Sequence, residues 1–169
     1  MRQSINSKWI ALIVVAVFLL FWLIGWYWSF APATYDVNKR VAQQTSVANP
    51  ANIAGYTLTS TMIEVSETLL DKPGGYLSND VIPPGVFLDN MPSFEFGVLE
   101  MIRDLALSMR KDFSRSQSQS IENPYLTKAH PKFNMDHRSW MFPSSESSYR
   151  DGITLLKQYR DALADPQNG

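Results

Sequence analysis

WIALIVVAVFLLFWLIGWYW, residues 9–28, decides the architecture: 19 of its 20 residues are apolar and the remaining one is Gly25. As an α-helix rising about 1.5 Å per residue, the run is about 30 Å long, the thickness of a bilayer's hydrocarbon core. Trp9 opens it and Trp26, Tyr27 and Trp28 close it, which puts amphipathic rings at the headgroup level on both sides. The expectation is a single transmembrane helix with the rest of the chain tethered to the membrane. A cleaved signal peptide is the rival reading, because Ala31-Pro32-Ala33 has small-x-small spacing. Against it, the run exceeds the roughly 7–15 residues of a signal core, and bulky Trp26 to Phe30 precede the supposed cleavage site.

On the near side of the run lie Arg2 and Lys8; on the far side the first basic residues are Lys39 and Arg40. This bias expects the N-terminus in the cytoplasm and the domain in the periplasm of a bacterial inner membrane. Beyond residue 28 the chain carries 13 of its 15 Lys+Arg and all 16 Asp+Glu, a balance of −3. A mildly acidic domain lacks the basic face that nucleic acid requires, so no nucleic-acid partner is expected; the partners expected are the lipid bilayer and a protein or a second copy. With no cysteine, disulfides, thiol catalysis and cysteine metal sites are excluded.

The organisation expected is a tail at 1–8, the span at 9–28, a juxtamembrane linker and helix at 29–52, a soluble helical domain at 53–165 and a tail at 166–169. In the linker, Val37, Val41 and Gln44 recur along one side of a short helix over Tyr35–Ser46, which sets the domain's height above the bilayer. Ile53–Leu58 reads as a short extended segment. Thr61 and Glu64 have capping-box spacing ahead of a helix carrying Met62, Val65 and Leu69, which Lys72-Pro73-Gly74-Gly75 ends near Asp71. Ser93 is read as the cap of a long helix to about Asp112, with Phe94, Val98, Met101, Ile102, Leu105 and Met109 along its apolar face and Glu95 placed to suit the helix dipole. Ser114–Ser120 is a polar helix extension or a loose linker. Glu122–Phe142, with Pro124 and Pro131, is read as irregular, and Ser145 as the cap of a last helix to Leu163 with Tyr149, Ile153, Leu156 and Tyr159 on one face. The fold class is therefore mainly α, one transmembrane helix plus a small helical domain with long irregular loops; α+β is the alternative.

Between these helices, Lys72–Pro92 is the most unusual stretch. Pro73, Gly74, Gly75, Pro83, Pro84, Gly85 and Pro92 are interleaved with Tyr76, Leu77, Val81, Ile82, Val86, Phe87 and Leu88. Such a loop is expected to pack in irregular form, held by proline and permitted by glycine. Long structured loops are often functional, so Tyr76, Asp80, Phe87 and Asp89 are candidates for a ligand or partner surface, with Glu64 and His137 beside them.

The run from Gly55 to Ser120, including DKPGGYLSND at 71–80 and SRSQSQS at 114–120, and FNMDHRSWMFPSSESSYRDGI at 133–153 resemble an uncharacterised proteobacterial family known as a domain of unknown function. The resemblance spans about Tyr35 to Asp165. It implies an inner-membrane protein with one N-terminal span. It implies no activity and no functional residues. Members of that family continue further, so the resemblance also implies that a longer chain could follow Gly169.

Catalytic signatures are missing. Glu64, Glu67 and Asp71 share a helix surface, which reads chiefly as a solvated acidic face, and Asp80 and Asp89 chiefly as turn residues. His130 and His137 lack a third ligand, and no metal site or cofactor is expected. There is no GxSxG elbow and no GxGxxG or GxxxxGK phosphate loop. Phe87, Phe94, Phe96, Phe113, Phe133, Trp140 and Phe142 read as core more readily than as a groove. The foremost functional expectation is an interaction or scaffold protein of the cell envelope, not an enzyme. The second is a membrane-tethered enzyme or ligand-binding protein acting on peptidoglycan or lipid through its loop carboxylates. The third is an accessory subunit whose Gly25 packs on partner helices.

Overall fold

The structure is a computed structural model that describes residues 7–44, 50–113 and 122–165. The SRSQSQS run and both tails (1–6 and 166–169) lie outside the described residues. Among the described residues six α-helices follow one another: α1 Ser7–Trp28, α2 Val37–Gln44, α3 Tyr56–Asp71, α4 Asn90–Ser108, α5 Pro124–Phe133 and α6 Ser145–Leu163. There is no strand among the described residues, which removes the α+β alternative. Helix α1 is long and apolar enough to cross a membrane or to serve as a signal sequence. Its side chains project into solvent almost throughout, and Gly25 is its one buried residue.

Helices α3 to α6 form the domain. Met62, Ile63, Leu69 and Leu70 of α3 meet Leu99, Ile102 and Ala106 of α4, Leu126, Ala129 and Phe133 of α5, and Tyr149, Ile153, Leu156 and Tyr159 of α6. Fully burying a leucine such as Leu99 or Leu156 is worth about 1.5–3 kcal/mol. Helices α5 and α6 approach closely at Gly152, where a Cβ would lie 2.9 Å from the Phe133 ring, so any larger residue would push the pair apart. Helix α2 lays Val41 into the domain and Arg40 onto Glu64 of α3 at 2.8 Å. The linker helix is thus fastened to the domain rather than standing off from it.

Several boundaries differ from the sequence reading, each for a local reason. Ile53–Leu58 is not extended. Helix α3 begins at Tyr56, directly after Gly55 at φ 79°, and Thr59 donates to the Gly55 carbonyl through both its amide and its hydroxyl. The Thr61–Glu64 pair is therefore inside the helix and caps nothing. Thr61 Oγ1 donates to the Thr57 carbonyl, and Glu64 turns to Arg40. Helix α4 begins at Asn90, so Ser93 lies in its first turn, and a π-helical turn at Met109–Phe113 continues it.

The buried face of α4 is Met91, Glu95, Leu99, Ile102 and Ala106, rotated from the expected stripe; Phe94 and Met101 are exposed. Part of the stretch expected to be irregular is helix α5, whose N-cap Asn123 accepts from the amides of Tyr125 and Leu126. Pro124 fits the first turn, where no amide partner is needed, and Pro131 falls in the last turn, where little helix remains to be broken. Ser144, not Ser145, caps α6.

Candidate functional site

Lys72 and Glu95 organise the loop between α3 and α4. Both side chains are 0% exposed. The Lys72 ammonium donates to Glu95 Oε1 and to the Gly75 carbonyl. Glu95 accepts in addition from the amides of Leu77 (2.8 Å) and Ser78 (2.7 Å) and from the Ser78 hydroxyl (2.5 Å). A buried carboxylate survives only when its lone pairs are met in this way, and here the donors are the backbone of the loop itself. The ion pair thereby fixes the path of residues 75–78.

Two further bonds tie this loop to the one between α5 and α6. Tyr76 Oη donates to the His137 carbonyl (3.1 Å), and Asn79 Nδ2 donates to the Ser139 carbonyl (2.9 Å) and to Glu146 Oε2 (2.8 Å). Burial drives the Tyr76 hydroxyl far above the ordinary tyrosine range, with Tyr149 adding to the effect, so it stays a neutral donor.

Beside this clamp opens a hollow of about 630 Å³ that includes Ser78, Asp80, Phe96, His137 and Arg138 in its lining. The Phe96 and His137 rings are 4.8 Å apart, tilted. Burial raises the Asp80 carboxyl above its ordinary value; the negative charges of Glu146 and Glu95 add to the rise and Lys72 opposes it. Asp80 also presses on Gly85, where a Cβ would fall 2.0 Å from Oδ2, so only glycine fits there.

The same loop reaches the span. An added Cβ on Gly25 would lie 3.4 Å from Pro84 Cβ and 3.8 Å from Leu88 Cδ2, ordinary packing distances. Trp28 lies over Gly74, which has φ +86° and leaves 2.7 Å for a Cβ. Asn90 Nδ2 donates to the Ser29 carbonyl at 3.4 Å. Phe18, Phe21 and Trp22 of α1 share an open groove with Pro84, Phe87 and Leu88. The face of Gly25 expected to receive a partner's helix is filled by this chain's own loop.

Among the sequence-derived candidates, Asp80 and His137 share one hollow. Tyr76 is buried in the core and Phe87 stands exposed on the groove beside α1. Asp89 is exposed at the start of α4, and Glu64 lies on α3, facing Arg40. The acidic face of α3 is solvated at its end and paired along its length: Glu64 is buried and faces Arg40, half-buried Glu67 pairs with Lys157 at 2.6 Å, and exposed Asp71 pairs with Arg150 at 2.7 Å. These carboxylates brace α3 against α2 and α6.

His130 is apart from His137, on α5 beside Arg110 and Asn134, and burial with the charges of Arg110 and Lys111 lowers its pKa. No group of three potential metal ligands occurs among the described residues. Of the soluble-part aromatics read as core, Phe133 is buried, whereas Phe87, Phe94, Phe96, Trp140 and Phe142 are exposed; the Phe113 side chain lies outside the described residues.

The Lys72–Glu95 pair was not visible in the sequence. The one available signal was Glu95 standing four residues from both Met91 and Leu99, on a buried face. Trp26 and Tyr27 are exposed at the far end of α1, Trp9 at its near end.

The chain belongs to the family described as an uncharacterized protein conserved in bacteria, domain-of-unknown-function family 2333, which matches residues 2–169. No curated protein and no solved structure matches it.

Proposed function

We propose that this chain is a single-pass protein of the bacterial inner membrane, its N-terminus cytoplasmic and its helical domain periplasmic, that acts as an interaction or scaffold protein of the cell envelope. The observation that carries this reading is the use to which the candidate carboxylates are put. Glu64, Glu67, Asp71 and Glu95 face cations within the fold, and Asp89 is apart from the rest. The carboxylates that raise Asp80 are themselves engaged, Glu146 by the Asn79 amide and Glu95 by Lys72, so neither is left to serve as the second carboxylate of a glycan hydrolase. The apolar α1 and the position of Arg2 and Lys8 support the orientation.

The partner is a protein. An apolar groove between α3 and α4, lined by Leu58, Val65, Met101 and Leu105, offers it a surface on the domain. Photoreactive crosslinking in living cells from position 101 should yield one defined protein adduct; a ladder of unrelated species, or none, would contradict the scaffold role. Fusing alkaline phosphatase after residue 165 should give an active reporter, since that enzyme matures only in the periplasm. An inactive fusion would reverse the orientation.

One observation favours a second reading, a membrane-tethered enzyme or ligand-binding protein acting on peptidoglycan or lipid. Asp80, with its raised carboxyl, shares a hollow with His137. In that case Asp80→Asn and His137→Ala would each abolish function in cells while leaving the fold and the 101 adduct intact.

A further inference from the structure

Two loops present large apolar side chains to solvent at one end of the domain. In the first, Val81, Ile82, Val86 and Phe87 follow the Lys72–Glu95 clamp; in the second, Trp140, Met141 and Phe142 precede α6. Ile82, Phe87 and Phe142 are 70%, 80% and 103% exposed, although the core of the same domain is well filled. The loops form one surface, because Val81, Ile82 and Pro83 line a single hollow with Trp140, Met141, Phe142 and the span residue Trp28. A soluble protein does not expose a contiguous patch of this kind without something to cover it.

The span identifies what covers it. Pro84 and Leu88 pack on Gly25, three residues inside Trp28, hence about 4.5 Å along the helix axis toward the bilayer centre. Phe87 shares its groove with Trp22, about 9 Å inside Trp28. Trp28 itself marks the headgroup level. A loop packed on α1 below that level stands beside a part of the helix that must be in hydrocarbon. Depths of about 5–10 Å are those at which interfacial segments bury their apolar faces.

The charges say how such a surface would be held. Between Pro73 and Phe94 the chain has Asp80 and Asp89 and no Lys or Arg, and beside the second loop stands the single cation Arg138, so there is no basic cluster to draw it to anionic lipid and apolar contact must hold it down.

We infer that the Val81–Leu88 and Trp140–Phe142 loops are a monotopic membrane-insertion surface, entering the outer acyl region beside α1 and seating the domain flat on the bilayer by apolar contact. The inference rests on α1 spanning the membrane. Its occupant is the lipid bilayer; a protein partner or a second copy is a competing outcome.

The absence of cysteine makes the test clean, since one introduced thiol is the only thiol in the chain. Full-length Phe87→Cys, Phe142→Cys and, as a span reference, Leu19→Cys are spin-labelled and reconstituted in vesicles. One set is phosphatidylcholine alone, the other phosphatidylethanolamine with phosphatidylglycerol. Collision rates with oxygen, which concentrates in lipid, and with a nickel chelate, which stays in water, are then read. At positions 87 and 142 oxygen collisions should exceed nickel collisions several-fold, as at 19, and equally in both vesicle types. Nickel exceeding oxygen at 87 and 142, with 19 still lipid-like, would overturn this inference and leave the span intact. Both rates low would mean a protein contact and overturn it too. A water-like position 19 would remove the span and the inference with it.

Discussion

Lys72–Asp80 and Val81–Leu88 are consecutive stretches of one proline- and glycine-rich loop, yet they dispose of polar and apolar groups in opposite ways. The first buries the Lys72 ammonium fully and turns the Leu77 and Ser78 amides inward onto the Glu95 carboxylate of α4. The second turns valine, isoleucine and phenylalanine outward. In water alone this arrangement is the wrong way round, since desolvating an ion pair costs free energy and exposing Phe87 gains none. Beside a bilayer it makes sense. The buried pair supplies the rigid root, and the apolar tip meets a solvent as apolar as itself.

The root is where the largest effect is expected. Glu95→Ala leaves Lys72 buried with its partner gone, and should cost about 3–5 kcal/mol in urea unfolding of the micelle-bound protein followed by circular dichroism. A loss below about 1 kcal/mol would show that the pair is not buried as described, because exposed pairs contribute no more than that.

Next comes the seam between root and span. Gly74→Val forces a β-branched residue into φ +86° and into the Trp28 ring, and should cost about 1–3 kcal/mol in the same assay. It should also widen the distribution of distances between labels on α1 and α6. An unchanged distribution would mean that α1 is not fastened to the loop at Trp28.

The tip should respond in the opposite manner to the root. Ile82→Ser or Phe142→Ser should change unfolding stability in micelles by no more than about 0.5 kcal/mol, since neither side chain is packed on the protein. A cost of several kcal/mol would place them in a protein interface and end the contrast.

The smallest effect is a pH slope. Asp80 has its carboxyl raised by burial first and by Glu146 and Glu95 next. A raised acid favours the folded state most when protonated. Its contribution is complete below the ordinary carboxylate value of 3.8 and is lost as pH rises through the raised folded value. Asp80→Asn should flatten that slope and raise the urea midpoint at neutral pH, with no gain near pH 3. A midpoint lowered at neutral pH would mean that the Asp80 charge is used by the fold.

How much of this was legible in the sequence follows from which signals are local. The 20-residue apolar run, the stop at Lys72-Pro73-Gly74-Gly75 and the periodic face of α6 depend on neighbours in the chain, and each is found where the pattern puts it. Helix α5 was hidden by two prolines whose cost is small at the first and last turns. The rotated face of α4 was hidden because Phe94 and Met101 look like core, whereas Glu95 looks like a surface acid until its partner 23 residues earlier is known. The outward loops divide in the same way. Phe87 stands in a loop whose prolines and glycines mark it as a candidate surface, whereas Trp140 and Phe142 carry no such mark and read as core by their apolar character alone, though all three are exposed. Sequence alone proposed a functional loop at Lys72–Pro92 but did not divide it into a polar root and an apolar tip.

The most direct test of that division uses Trp140 as its own probe. In a full-length chain with Trp9, Trp22, Trp26 and Trp28 replaced by Phe, Trp140 is the sole tryptophan. Its fluorescence is compared in vesicles whose lipids carry bromine high or low in the acyl chain. The account predicts strong quenching by the high position, weaker quenching by the low one, and a blue-shifted emission. Emission at the wavelength of tryptophan in water, unquenched by either lipid, would contradict it.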